Sequence, residues 1–253
     1  LDGEMHEYMI YLPLYDGINW LQIGVDSTAQ LIQPQVDNPR SMGKIIIYGT
    51  SIQQGGCASR TGMVPSAMIQ RDFNLECVNL ATSGQARMDF YIAEAMASIE
   101  DAICYVIDPV PNCTKDRCDT ATYDFINILR TLRPEVPIVM VEGLMYPYTR
   151  HDSYHAEYLP QKNECFRRGF DQHVAENPKG MYYMTHEGQT GPDMEGTVDG
   201  VHLTDYGFRA YADLLEIVVK EALDDTDVDY DVEPAYNVVR KKTFWERLKD
   251  LFQ

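Results

Sequence analysis

Four short stretches of this 253-residue chain carry groups that could act together on a carbonyl carbon. Gly49-Thr50-Ser51-Ile52-Gln53-Gln54-Gly55-Gly56 offers a serine in a glycine-rich turn, and Thr82-Ser83-Gly84-Gln85 offers a second tight turn. Asp108-Pro109-Val110-Pro111-Asn112 brings a side-chain amide, and Asp199-Gly200-Val201-His202 an imidazole three residues after a carboxylate. A serine hydroxyl is a poor nucleophile until a base takes its proton, and the base needs a carboxylate to fix its tautomer and stabilise the imidazolium. His202 and Asp199 can fill those roles for Ser51. The oxyanion formed on attack needs donors already in place, and the N–H groups of Ser51 and Gly84 with the Asn112 amide would supply three.

The Asp-x-x-His spacing occurs twice, because Asp152-Ser153-Tyr154-His155 repeats it in a loop after another strand-like run. Asp199/His202 is the favoured pair because it stands directly before the last helix of the domain. Two further sets bear on substrate binding. Arg60 can meet a substrate carboxylate or brace the loop after the serine. Tyr146, Tyr148, Tyr154 and Tyr158, with Arg150, can stack on sugar rings or simply pack their loop.

The elements that must position these groups are legible as apolar runs: Ile45–Tyr48, Cys77–Leu80, Ile103–Ile107, Ile138–Val141 and Met181–Met184. Each is short, and helix-compatible segments near 65–73, 88–100, 120–133, 158–177 and 204–223 separate or follow them. This alternation predicts a three-layer α/β domain over residues 41–223, with a parallel sheet of about five strands. Ligands of such sheets bind at the carboxyl ends of the strands, which is where the reactive stretches fall. Residues 1–40 read as the hairpin remnant of an N-terminal β module, with strands Met9–Leu12 and Trp20–Val25. Residues 224–253 read as an acidic linker and a basic amphipathic helix suited to packing on the domain or on a second copy, with membrane-surface contact as the alternative. The aspartates of that linker lack the glycine and distal glutamate of a calcium loop.

A formal charge of -18 excludes a nucleic-acid footprint. No run approaches the roughly 18 apolar residues of a membrane span. The six cysteines do not read as a disulfide framework. Cys113-x4-Cys118 suggests a local disulfide rather than half of a zinc site, since no matching second pair follows. Elbow, dinucleotide and P-loop motifs are absent.

In order and placement, Gly49-Thr50-Ser51-Ile52, Ser83-Gly84, Asn112 and Asp199-Gly200-Val201-His202 resemble the four blocks of the SGNH (GDSL-like) hydrolases, over roughly residues 43–223. Gln53 to Arg60 and Val198 to His202 resemble a bacterial branch in which a β-sandwich module precedes the hydrolase domain. The resemblance implies a flavodoxin-like fold and ester hydrolysis through an acyl-enzyme on Ser51, with no metal or organic cofactor. Short acyl esters, acetyl groups on carbohydrate among them, are the implied substrates, and a periplasmic or secreted location is implied too. An acyltransferase using the same acyl-enzyme, or a carbohydrate-binding protein with a vestigial site, are the alternatives. Two positions depart from the family pattern: Thr50 and Cys113 stand where aspartates are usual.

Overall fold

The computed structural model describes residues 4–34 and 43–226. Five parallel strands form one sheet: β1 (Lys44–Gly49), β2 (Glu76–Asn79), β3 (Ala102–Asp108), β4 (Ile138–Val141) and β5 (Met181–Met184), in the order β2-β1-β3-β4-β5. The expected strands are therefore all present. Alternation along β1 builds both faces of the core. Ile46 and Tyr48 pack with α3 (Phe90–Ala97), α4 (Lys115–Leu132) and α5 (Ser153–Glu176). Ile45 and Ile47 pack with α2 (Pro65–Phe73) and α6 (Asp205–Asp224) on the other face. Strands buried on both faces read as continuous apolar runs, which is why their sequences were conspicuous.

The strand order reverses between β1 and β3, the point where an open α/β sheet leaves a crevice at its carboxyl edge. Gly49 lies in register with Asp108 across that point, so the loops after β1 and β3 leave the sheet side by side.

The N-terminal hairpin is not formed. Residues 4–34 contain no strand or helix, and their anchoring to the domain explains why. The Tyr11 carbonyl accepts from the Thr61 hydroxyl, its phenol from Arg71, and the Leu14 carbonyl from Gln54. Side chains of the α/β domain thus take the place of a strand partner. Trp20 and Ile23, expected on a hairpin face, are 74% and 59% exposed. The acidic linker and terminal helix lie almost wholly outside the described residues. Among those described, no helix is long and apolar enough to cross a membrane.

Candidate active site

Ser51 opens a one-turn helix, α1 (Ser51–Gln54), directly from the end of β1. Thr50 is the N-cap, its hydroxyl accepting from the Ile52 N–H at 3.3 Å. Threonine is a good N-cap, so its departure from the family pattern leaves the turn braced. The turn ends at Gly55, whose φ of 98° is the left-handed conformation that glycine adopts without a Cβ penalty. At Gly56 a Cβ would stand 3.1 Å from His202 Cδ2, so the serine turn closes directly on the imidazole.

Ser51 Oγ lies 3.0 Å from His202 Nε2, and His202 Nδ1 lies 2.8 Å from Asp199 Oδ2. The second carboxylate oxygen of Asp199 accepts from the N–H groups of Val201 and His202 at 2.9 and 2.7 Å. These bonds, the one to the His202 ring foremost, push the Asp199 pKa down to about 2, so it is a carboxylate at any working pH. A small hairpin presents this pair. Thr197 and Leu203 form a bridge, and Val198 donates to the His202 carbonyl. Thr204 then caps α6, whose first residue, Asp205, accepts from the Ser59 N–H at 3.0 Å.

The other two blocks converge on the same edge. The Thr82 N–H donates to the Gly49 carbonyl and the Ser83 N–H to Gln54, which seats the Gly84 turn beside α1. Gly84 is exposed, with φ at 73°. The Asn112 side chain donates to the Gln85 carbonyl, joining the loops after β2 and β3. Arg117 and Tyr48 complete the clamp: the guanidinium donates to the carbonyls of Arg87 and Met88, and Tyr48 accepts from the Met88 N–H. Buried Lys162 steadies the other loop through the Pro111 carbonyl.

Beneath the site lies a buried trio that sequence reading missed. Asp108 Oδ2 accepts from Gln53 Nε2 at 3.1 Å and from the Tyr211 hydroxyl at 2.8 Å. It ties α1, the end of β3 and α6 into one unit. Desolvation pushes the Asp108 pKa up to about 7, opposed by those two hydrogen bonds.

The second Asp-x-x-His copy makes the same local pair, with His155 Nδ1 at 2.6 Å from Asp152 Oδ2, but its role is to cap α5. Among the described residues no serine hydroxyl is hydrogen-bonded to the His155 ring, whereas Ser51 faces His202. Tyr148 lies between the two turns, its Cδ1 3.3 Å from where a Cβ on Gly200 would stand and its ring centre 5.4 Å from that of His155. Tyr146 is buried and stacked on Tyr148 at 5.5 Å, whereas Tyr154, stacked on Tyr158, is 65% exposed. Arg60 stands 3.7 Å from Asp205 and donates to Ser59, the contacts of a loop brace. The expected disulfide is absent: Cys113 and Cys118 are buried free thiols, and Cys113 Sγ donates to the Ala86 carbonyl. Cys113 thereby braces the Gly84 loop from the position where the family pattern has an aspartate.

Residues 42–220 match the GDSL-like Lipase/Acylhydrolase family. The chain belongs to that family. Residues 1–31 match a second family, the N-terminus of SGNH-hydrolase-type esterases. Among solved structures, a GDSL-like lipase from Bacteroides ovatus is 33% identical, with a TM-score of 0.78 over 85% of this chain and 62% of its own. A salicylyl-acyltransferase from a tetracycline biosynthetic pathway shares the fold at 17% identity, TM-score 0.62, over 80% of this chain and 60% of its own. A family two carbohydrate esterase from Clostridium thermocellum does so at 16% identity, TM-score 0.54, over 73% of this chain and 65% of its own. This family member thus spans less than two thirds of the length of each. No protein of curated function matches the sequence.

Proposed function

We propose that this GDSL-like family member is a serine esterase that hydrolyses short-chain acyl esters, acetyl groups on carbohydrates among them. The observation that carries the proposal is the aligned set Ser51 Oγ, His202 and Asp199, with contacts of 3.0 and 2.8 Å. Ser51 Oγ attacks the acyl carbonyl while its proton passes to His202 Nε2. Ionised Asp199 stabilises the imidazolium. The carbonyl oxygen, now an oxyanion, is held by the N–H groups of Ser51 and Gly84 and by the N–H of Asn112 not given to Gln85. Collapse expels the alcohol, which takes its proton from His202 and leaves the acyl group on Ser51. Water, deprotonated by His202, then attacks the acyl-enzyme, releasing the carboxylic acid and restoring the serine.

Exposed Tyr154 and half-buried Tyr148, the latter against the Asp199–His202 turn, offer ring faces on which a sugar bearing the ester can lie. A saccharide alcohol is therefore the favoured leaving group. The test is hydrolysis of p-nitrophenyl acetate and of acetylated saccharides by the wild type and Ser51→Ala. Turnover should vanish in the variant, and an unchanged rate would refute the reading. Adding a free alcohol or sugar separates a transferase, in which it captures the acyl group in preference to water.

A further inference from the structure

Cys57 stands at the rim of the nucleophile turn with φ at 72°, in the left-handed conformation that ordinary side chains rarely adopt. Its thiol is free and exposed. Cys57 Sγ, a carboxylate oxygen of Asp199 and a ring nitrogen of His202 all lie within 4.8 Å of one another. Thiolate, imidazole and carboxylate are the ligand types that zinc takes. Bonds of about 2.0–2.3 Å around a tetrahedral ion put ligand atoms roughly 3.3–3.8 Å apart. Movements of about 1 Å would therefore close the set, with a fourth position left to water. His202 Nδ1 and Asp199 Oδ2, now 2.8 Å apart, part by about half an ångström to admit the ion, and the exposed thiol closes on them.

We propose that Cys57, Asp199 and His202 form a binding site for a thiophilic divalent cation, zinc above all, and that its occupation switches the esterase off. The inhibition rests on the proposed role of His202; the binding does not. On binding, the Cys57 thiol releases its proton to solvent, and sulfur, nitrogen and oxygen each donate a lone pair to the ion. Asp199 faces His202 Nδ1, so the ion that the two residues share takes that nitrogen. The Nδ1 proton passes to Nε2, the bridge to Asp199 is lost, and Nε2 keeps no lone pair to accept the Ser51 proton. The base is lost. Calcium and magnesium demand oxygen ligands, of which this site has one residue's worth, so they should not compete. The other His/carboxylate cluster among the described residues, Glu142, His186 and Glu187, has no thiol, so a cysteine variant distinguishes the two.

The experiment uses the metal-free chain as wild type, Cys57→Ser and Cys57→Ala. Zinc affinity is read by competition with a chromophoric chelator, thiolate ligation by the near-ultraviolet charge-transfer band of cobalt(II), and inhibition by p-nitrophenyl acetate hydrolysis. The wild type should show the cobalt band. Both variants should lose the band, bind zinc about tenfold or more weaker, and need correspondingly more zinc for half-inhibition, at unchanged basal rate. Absence of the band in the wild type, or equal zinc inhibition of wild type and Cys57→Ser, would overturn the proposal. The cobalt band needs no turnover, so it tests the site even if the chain hydrolyses no ester.

Discussion

Gly207, in the first turn of the last helix, lies so close to Gly196 that a Cβ on it would stand 2.0 Å from the Gly196 carbonyl oxygen. That contact seats the hairpin carrying Asp199 and His202 on the helix that follows it. Gly207→Ala must push the two apart, at a cost of about 1–3 kcal/mol, with the thermal midpoint a few degrees lower. Because the hairpin moves with it, kcat should fall more than stability alone explains. Calorimetry and esterase kinetics on folded protein check both parts.

The two Asp-x-x-His turns give a paired comparison. Each holds its imidazole at hydrogen-bond distance, 2.8 and 2.6 Å, but only His202 meets a serine. His202→Ala should lower kcat/KM on the order of 10⁴-fold or more. His155→Ala should leave kcat near wild type and change mainly KM, since it removes an edge contact to Tyr148. Equal losses of kcat in both would contradict the assignment.

Asn112 and Arg117 act on the same loop in different ways. Asn112→Ala removes a proposed oxyanion donor and should cost about 10²–10³ in kcat, some 3–4 kcal/mol of transition-state stabilisation. Arg117→Ala removes donors to the carbonyls of Arg87 and Met88 and loosens the Gly84 turn without touching substrate. Its loss should be smaller and should be partly restored by Arg117→Lys.

Asp108 sets a pH dependence of stability. Burial raises its pKa from the ordinary 3.8 to about 7. Between those values the folded chain binds more protons than the unfolded chain, so this group's contribution to stability falls as pH rises and levels off above about 7. The full span amounts to no more than about 4 kcal/mol. Asp108→Asn stays neutral and removes the slope, so its stability relative to wild type should improve from pH 4.5 to 7.5. Urea unfolding at the two pH values measures this; parallel changes in both proteins would contradict it.

What could be read in advance followed the range of the interaction. Buried strands such as Ile45–Tyr48 announce themselves because both faces are covered, and Asp-x-x-His folds into its pair within one turn. The same locality left two such pairs on offer, because the partner serine lies 151 residues away from His202. The trio of Gln53, Asp108 and Tyr211 was illegible for that reason, its members being 55 and 103 residues apart in sequence. The Met9–Leu12 and Trp20–Val25 runs read as a hairpin because they flank the Tyr15-Asp16-Gly17-Ile18 turn, yet residues 4–34 form no strand, since two apolar runs beside a turn do not specify that they pair with each other. In the fold, backbone groups at Tyr11 and Leu14 bond to domain side chains instead.

The central claim is that Ser51 carries the acyl group. Its most direct measurement is intact mass and peptide mapping after reaction with a serine-directed fluorophosphonate, on wild type, Ser51→Ala and His202→Ala. One adduct on the Ser51 peptide is expected in the wild type, none in Ser51→Ala, and far slower labelling in His202→Ala. An adduct on another residue, or equal labelling in Ser51→Ala, would contradict the account.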